Sequence, residues 1–324
     1  MEGYRSFRGN DSGKNWFLSS VTSPVSNIHF SIIIPHKNIP SLLVRCLDSI
    51  PKRNDIQIIV VDDNSSADIV DFNSFPGGER ENVEVYFTHK SGGTGYAQNI
   101  GLEHAVGEWV MFIGADDFFT EEVDSFLDRM VDAPEDLIVF DHRSVLSSDI
   151  KTSVERSTYL SKLIEDYLSG RIDEKYFRCK YIVATCKLIR RDLIEKHHIR
   201  FSETKWSNDN YFSAQVSCFA NSMKVCNDVI YVMTVRDGSL TSDYCGTRKE
   251  SEIRLQEAIK SDKLYRENGL TNKNILSESV LRTIGTRHGF WKSLGYCVTF
   301  VPNRPVFKAM SSFLFRKTVH HFTV

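Results

Sequence analysis

The chain alternates short apolar runs with stretches whose apolar residues recur at helical spacing, most densely between residues 30 and 140. The first run, 30–35, carries Phe30, Ile32, Ile33 and Ile34 and stops at Pro35, which predicts a strand buried on both faces. Leu42, Leu43, Cys46, Leu47 and Ile50 follow at helical intervals, with Ser41 near the start of the predicted helix. A second buried strand is predicted over 56–61, closed by Asp62-Asp63-Asn64-Ser65-Ser66. A third covers 83–87, after a loop containing Pro76, Gly77 and Gly78. Beyond the glycine-rich turn at 92–95, Ala97, Ile100, His104 and Ala105 predict another helix. A fourth strand over 109–113 ends at Gly114-Ala115-Asp116-Asp117. The next helix places Val123, Phe126, Leu127 and Met130 on one face, with Thr120 as its N-cap. A fifth strand is predicted over 137–140. From about 142 the pattern thins, leaving helices near 158–168, 208–220, 251–266 and 273–285 and a strand near 224–232.

Strands that alternate with helices predict an α/β fold, a mostly parallel sheet with helices on both faces. Ligands of such sheets bind beyond the carboxyl ends of the strands. The acidic pairs at 62–63 and 116–117 both fall at those ends.

Composition narrows the class. A formal net charge of −2 argues against a nucleic-acid partner, which usually calls for a strong basic excess. The seven cysteines form no C-x-x-C pair; Cys46, Cys186 and Cys218 sit among apolar residues and read as reduced core thiols of a cytoplasmic protein. Residues 1–29 are polar, without an apolar segment suited to a secretory signal, and no apolar run is long enough to span a bilayer.

Four ordered segments carry a specific resemblance: Ser31 to Asn38 with Pro35, Val60 to Ser65 with the Asp62-Asp63 pair, Gly92 to Gly101, and Gly107 to Asp117. Together they resemble the nucleotide-binding half of glycosyltransferase family 2, whose members have the GT-A (Rossmann-like) fold, and fainter matches extend to about residue 241. The resemblance implies an inverting transfer of a sugar from a nucleotide-diphosphate donor, a UDP-sugar by expectation, to an acceptor hydroxyl. It implies that Pro35 lines the base pocket, that Asp62 accepts a hydrogen bond from a uracil or thymine ring N–H, and that Asp63 shapes the turn. Asn99 is expected to hold its loop near the donor, and Gly101 to allow close helix–sheet packing. Gln98 stands where the family usually has arginine. Gly114 replaces the first carboxylate of the usual D-x-D. That leaves Asp116, supported by Asp117, as the expected ligand of Mn²⁺ or Mg²⁺ on the diphosphate. The Asp-Asp-Asn-Ser stretch also suits a plain turn after a strand, and Asp117 a helix cap.

Asp209 is the expected general base, in a variant of the family's E-D motif where Asn208 replaces glutamate. An Asp in the first turn of a helix also complements the helix dipole, so a structural role stays open. Tyr231, Arg236, Ser239 and Thr241 resemble a family segment in which Arg236 and Ser239 meet the diphosphate. His36 and His89 have no partner pattern and read as structural. From 281 to 324 the chain carries seven Lys and Arg residues, no Asp or Glu, and eight aromatics. That mixture suits a surface lying on an anionic membrane, or a helical lid with a solvated basic face. The expected organisation is an extension over 1–29, a GT-A domain over 30–241 divided at 140/141, and a helical C-terminal region over 242–324. The implied acceptor is a glycan or lipid-linked saccharide of a bacterial surface polysaccharide, and the expected location is the cytoplasm or the inner membrane face. Two alternatives stand beside the transferase. A sugar nucleotidyltransferase would carry a glycine-rich, basic loop where this chain has His36-Lys37-Asn38-Ile39-Pro40. A non-catalytic nucleotide-sugar-binding partner is kept open by Gly114 and Asn208.

Overall fold

The computed structural model describes residues 8–9, 16–19, 27–236 and 248–271. Two short strands, β1 (Arg8–Gly9) and β2 (Trp16–Ser19), lie within the predicted N-terminal extension. Then come β3 (Phe30–His36), α1 (Pro40–Asp48), β4 (Ile56–Asp62), β5 (Val83–Phe87), α2 (Thr94–His104) and β6 (Trp109–Phe112). The chain continues through β7 (Phe118–Phe119), α3 (Val123–Met130), β8 (Leu137–Leu146), α4 (Thr158–Leu168) and α5 (Glu174–Lys180). The described elements close with β9 (Lys187–Arg190), α6 (Arg191–Lys196), α7 (Asn208–Phe219), β10 (Met223–Val235) and α8 (Arg248–Glu267).

All the strands join one sheet in the order β1-β2-β5-β4-β3-β6-β9-β8-β10-β7. Its nucleotide-binding half, β5-β4-β3-β6, is parallel, as the crossover pattern predicts. β2 extends that half by pairing antiparallel with β5, and β9 inserts antiparallel between β6 and β8. Ile32, Ile33 and Ile34 on β3, and Ile58, Ile59, Val60 and Val61 on β4, are all fully buried. Each such side chain contributes about 1.5–3 kcal/mol by leaving water. With helices covering both faces, these central strands read as continuous apolar runs.

Gly101 on α2 fulfils its expected packing role: a Cβ there would stand 2.3 Å from the Ile33 Cγ2 atom. Gly101→Ala must push α2 off the sheet and should cost about 1–3 kcal/mol, read as a lower urea midpoint with unchanged slope.

Three expectations shift. Thr120 does not cap α3: Glu122 occupies the N-cap, and the Thr120 hydroxyl donates to the Val229 carbonyl at 2.9 Å. The predicted fifth strand runs on to Leu146, because β10 lies parallel beside it along its length. Cys46 and Cys186 are fully buried, whereas Cys218 is half-buried beside a small cluster containing Tyr265. No helix among the described residues is long and apolar enough to cross a membrane. The predicted helix at 273–285 and the basic, aromatic tail at 281–324 lie outside the described residues.

Candidate active site

Parallel strands deliver three loops to one rim of the sheet. β3 runs into His36-Lys37-Asn38 and β4 into Asp63-Asn64-Ser65, and both turns use an asparagine in the left-handed region, Asn38 at φ 56° and Asn64 at φ 58°. Asparagine tolerates that conformation because its short side chain bonds locally. Pro35, half-buried and level with Val61, closes the end of β3 at this rim.

Asp62 points inward from β4, its side chain only 1 % exposed. Its Oδ2 accepts from the His36 Nδ1 at 2.7 Å and from the Ser65 hydroxyl at 2.6 Å, while Oδ1 accepts from the Ser65 N–H at 2.8 Å. The Ile39 N–H donates to His36 Nε2 at 3.2 Å, so the imidazole proton sits on Nδ1 and faces the carboxylate. Burial alone would raise the Asp62 carboxyl, but the His36 and Ser65 hydrogen bonds outweigh it and hold the group below its ordinary value. His36 is structural, as read, but with a definite partner. The ring N–H contact expected of Asp62 finds a carboxylate turned into the protein, because strand alternation sends this side chain towards His36. Asp63 does shape its turn. It accepts from the Gly92 N–H at 2.7 Å, the Gly93 N–H at 3.0 Å and the Ser91 hydroxyl at 3.1 Å, with the Lys37 ammonium 3.6 Å away. Asp63 thereby pins the glycine-rich turn to the end of β4.

The loop after β6 separates its two carboxylates. Asp117 turns inward, where its Oδ2 accepts from the Tyr231 hydroxyl at 2.5 Å and its Oδ1 from the Thr234 N–H at 2.7 Å. Burial, and then the neighbouring charge of Asp116, push its carboxyl up to about 7. Both oxygens being committed to β10, Asp117 does not fit its expected place as a metal ligand. Asp116 faces outward, 24 % exposed, and its Oδ2 meets the Arg236 Nε at 3.0 Å. Arg45 and the Thr234 hydroxyl hold its backbone carbonyl at 2.5 and 2.8 Å. A Cβ on Gly114 would stand 3.0 Å from an oxygen of each aspartate, so glycine here avoids crowding a third carboxylate against two. Among the described residues no group of three or more His, Cys, Asp or Glu side chains is placed to hold a metal ion. A cation would find one outward carboxylate, Asp116, and would take its other ligands from donor phosphates and water, a set that Mg²⁺ and Mn²⁺ accept.

Asp209 lies in the first turn of α7, half-buried, after Ser207 in the left-handed region at φ 55°. Burial raises its carboxyl above the ordinary value, opposed first by a hydrogen bond from its own backbone N–H and then by the charges of Lys187 and Arg254. No side chain among the described residues hydrogen-bonds to it. Lys187 is 1 % exposed, donates to the Tyr181 carbonyl at 3.2 Å, and is lowered to about 7 by its burial, with Asp209 opposing. β9 pairs Ile189 with Val110, a register that sets Lys187 level with Phe112, the last residue of β6, at the rim where the 114–117 loop departs. Asp117 acts on the adjacent Cys186 thiol, which burial first of all lifts to about 12. Asp116, Asp117 and Asp209 therefore gather at one end of the sheet. α8 braces the start of α7: Arg254 donates to the Ser207 hydroxyl at 3.2 Å, and the Ser202 hydroxyl to Glu257 at 2.6 Å.

Asn99 does not reach into the rim. Its Oδ1 accepts from the Phe201 N–H at 2.8 Å and its Nδ2 donates to the Phe201 carbonyl at 3.1 Å, tying α2 to the segment that leads into α7. Beside it, the two departures from the family pattern meet: the Asn208 Nδ2 donates to the Gln98 Oε1 at 3.2 Å. Where the resemblance implies arginine and glutamate, this chain has a neutral amide pair, with Gln98 only 6 % exposed. Gln98→Arg or Asn208→Glu alone leaves a charge without its counterpart. Each single change should cost about 1–3 kcal/mol, and the double exchange should recover at least about 1 kcal/mol. Urea midpoints of the four proteins check this; strictly additive losses would count against it. Ser239 lies outside the described residues. The sequence reading missed Lys187, Arg45, Tyr231's hydrogen bond to Asp117, and Arg254. Only the charge-bearing Lys187 within an apolar run gave a signal.

Known proteins resemble this chain in both sequence and fold. A family model described as glycosyl transferase family 2 matches residues 31–197, just over half of the chain. The match ends before Asp209. Glycosyltransferase GlyG of Streptococcus pneumoniae is 23 % identical over 218 residues, 65 % of this chain and 72 % of that protein. Poly(ribitol-phosphate) beta-N-acetylglucosaminyltransferase TarS of Staphylococcus aureus is 24 % identical over 69 % of this chain, which spans only 39 % of TarS. A structure of TarS residues 1–349 with UDP-GlcNAc superposes with a TM-score of 0.60 at 22 % identity, covering 82 % of this chain and 77 % of that one. A Pyrobaculum calidifontis mannosyltransferase with GDP-Man and Mn²⁺ superposes at 0.50 and 15 % identity, covering 94 % and 90 %. At such identities the superpositions establish the α/β GT-A fold. On that fold, with the family model matched over more than half its length, the chain is a glycosyltransferase and belongs to glycosyl transferase family 2.

Proposed function

We propose that the chain moves a sugar from a UDP-sugar to an acceptor hydroxyl of a growing glycan, with inversion and with Asp209 as the general base. The observation that carries the proposal is the state of Asp209: a half-buried carboxylate at the rim, raised by burial and without a side-chain hydrogen bond among the described residues. A general base needs a proton affinity above that of an exposed carboxylate, and burial gives Asp209 that.

The turns at 35–38, 62–65 and 91–93, stitched together by Asp62, His36 and Asp63, form a fixed floor for the donor's base and ribose. Arg236, paired with Asp116 at 3.0 Å, is placed to turn towards the diphosphate. A divalent cation held by Asp116 and the donor phosphates would neutralise charge on the departing diphosphate. Asp209 takes the proton of the acceptor hydroxyl as its oxygen attacks the anomeric carbon. The carbon–diphosphate bond breaks on the opposite face, and the single displacement inverts the centre. The TarS complex contains UDP-GlcNAc, which supports a uridine donor. The basic, aromatic tail at 281–324 supports a lipid-linked acceptor met at an anionic membrane surface.

The test is a panel of nucleotide sugars assayed by thermal shift and by release of the nucleotide diphosphate, with and without Mn²⁺. A UDP-sugar should raise the melting temperature and be turned over. No shift and no turnover with any donor would overturn the proposal.

A further inference from the structure

Lys187 opens β9, the strand inserted between β6 and β8, and its neighbours Cys186, Leu188 and Ile189 are fully buried. At 1 % exposure it places an ammonium inside the sheet. Its three N–H groups find one hydrogen-bond acceptor among the described residues, the Tyr181 carbonyl at 3.2 Å, and the Tyr181 ring centre lies 5.4 Å away. No carboxylate among the described residues stands within ion-pair distance of it. A hydrophobic side chain of similar volume would fill the same space at lower cost, so the charge itself has a use.

The register fixes the direction in which that charge faces. Val110 opposite Ile189 sets Lys187 opposite Phe112, and opposed residues of an antiparallel pair share one face of the sheet. On that face the Phe112 ring meets Phe212 of α7 edge-on, with centroids 5.3 Å apart. Asp209 stands three residues before Phe212, on the same side of α7. Lys187 and Asp209 therefore share the layer between the sheet and α7, and each acts on the other's charge. The other titratable groups in that layer are accounted for. Arg254 of α8 also acts on Asp209 but is paired with Glu250 at 3.0 Å; the Tyr159 phenol of α4 feels Asp209, and the Cys186 thiol lies beside Lys187. We propose that Lys187 is a positioning residue for the base, a buried ammonium facing α7 that keeps Asp209 ionised and ready to accept a proton. The inference rests on the reading of Asp209 as the base and adds the group that sets its charge.

Two readouts on the full chain test it. The first is kcat against pH, by release of UDP from UDP-GlcNAc, UDP-glucose or UDP-galactose, whichever is turned over, for the wild type, Lys187→Met, Lys187→Arg and Asp209→Asn. Methionine fills the space without the charge, and arginine keeps the charge. In Lys187→Met the acid limb should move up by about 1 pH unit, a loss of about tenfold on the acid side that narrows as pH rises. Lys187→Arg should hold the limb at its wild-type pH. A lysine kept only for packing would instead change kcat by one factor at every pH. The second readout needs no turnover: NMR of protein with ¹³C-labelled lysine follows the Lys187 side chain, assigned by its absence from Lys187→Arg. Coupling is reciprocal, so Asp209→Asn should lower the Lys187 midpoint by as much as Lys187→Met raises the limb. Should Lys187→Met fail to fold, this second readout decides alone. A limb left in place by Lys187→Met, or a Lys187 midpoint unmoved by Asp209→Asn, would overturn the role of Lys187 and leave the transferase reading intact. An acid limb that persists in Asp209→Asn removes the base itself, and this inference with it.

Discussion

Asp209→Asn lowers turnover by on the order of 10²–10⁴-fold and leaves UDP-sugar binding as it was. Asparagine keeps the size and polarity of the side chain but cannot take a proton. Two further readings separate a base from a helix-capping residue. In the wild type, kcat rises with pH as the raised Asp209 carboxyl ionises and then levels off, and this limb disappears in the variant. The second reading is stability. Because the folded-state value lies above the unfolded one, the contribution of Asp209 to stability is present in full below the unfolded value, about 3.9, and is lost as pH rises through the folded value. Above the folded value the ionised carboxylate is a burden on the fold, so there Asp209→Asn raises the urea midpoint while removing activity. A residue kept for the helix dipole would do the reverse, losing about 0.3–1 kcal/mol on the same change.

The second large effect is expected at Asp116. Asp116→Asn removes the one outward carboxylate of the 114–117 loop and releases Arg236 from its 3.0 Å pair. Turnover supported by Mn²⁺ should fall by on the order of 10²-fold, and titration with Mn²⁺ followed by electron paramagnetic resonance should show the matching loss of affinity for the ion in the presence of UDP. Asp117→Asn should behave differently, since both Asp117 oxygens are bonded to β10. Its cost should appear in the melting temperature rather than in the Mn²⁺ titration. Equal loss of Mn²⁺ affinity in the two variants would contradict the division of labour between them.

Much of this site was legible because its placement depends on pattern. Apolar β-branched runs marked the strands at 30–36, 56–62 and 109–112, and each ended in a polar loop, so a shared rim followed from the parallel crossovers alone. The helix over 158–168 was read with its observed limits. What the sequence concealed was side-chain direction and long-range partnership. Nothing in Asp62-Asp63 says that the first carboxylate turns to His36 and the second to the glycine turn, because both residue types suit either place. Nothing in a lone glutamine and a lone asparagine 110 positions apart says that they touch. β9 and α6 were missed since four residues, one of them a buried lysine, carry too little periodicity to stand out. Thr120 looked like a cap because its side chain suits one, yet β7 pairs with β10 immediately before it and delays the helix to Val123.

A crystal structure of the chain with an intact UDP-sugar and Mn²⁺ is the most direct measurement. The account predicts the diphosphate against Asp116 and Arg236, with the Asp209 carboxylate facing the anomeric carbon from the side away from the phosphates. A donor seated elsewhere, or Asp209 on the same side as the leaving diphosphate, would contradict it.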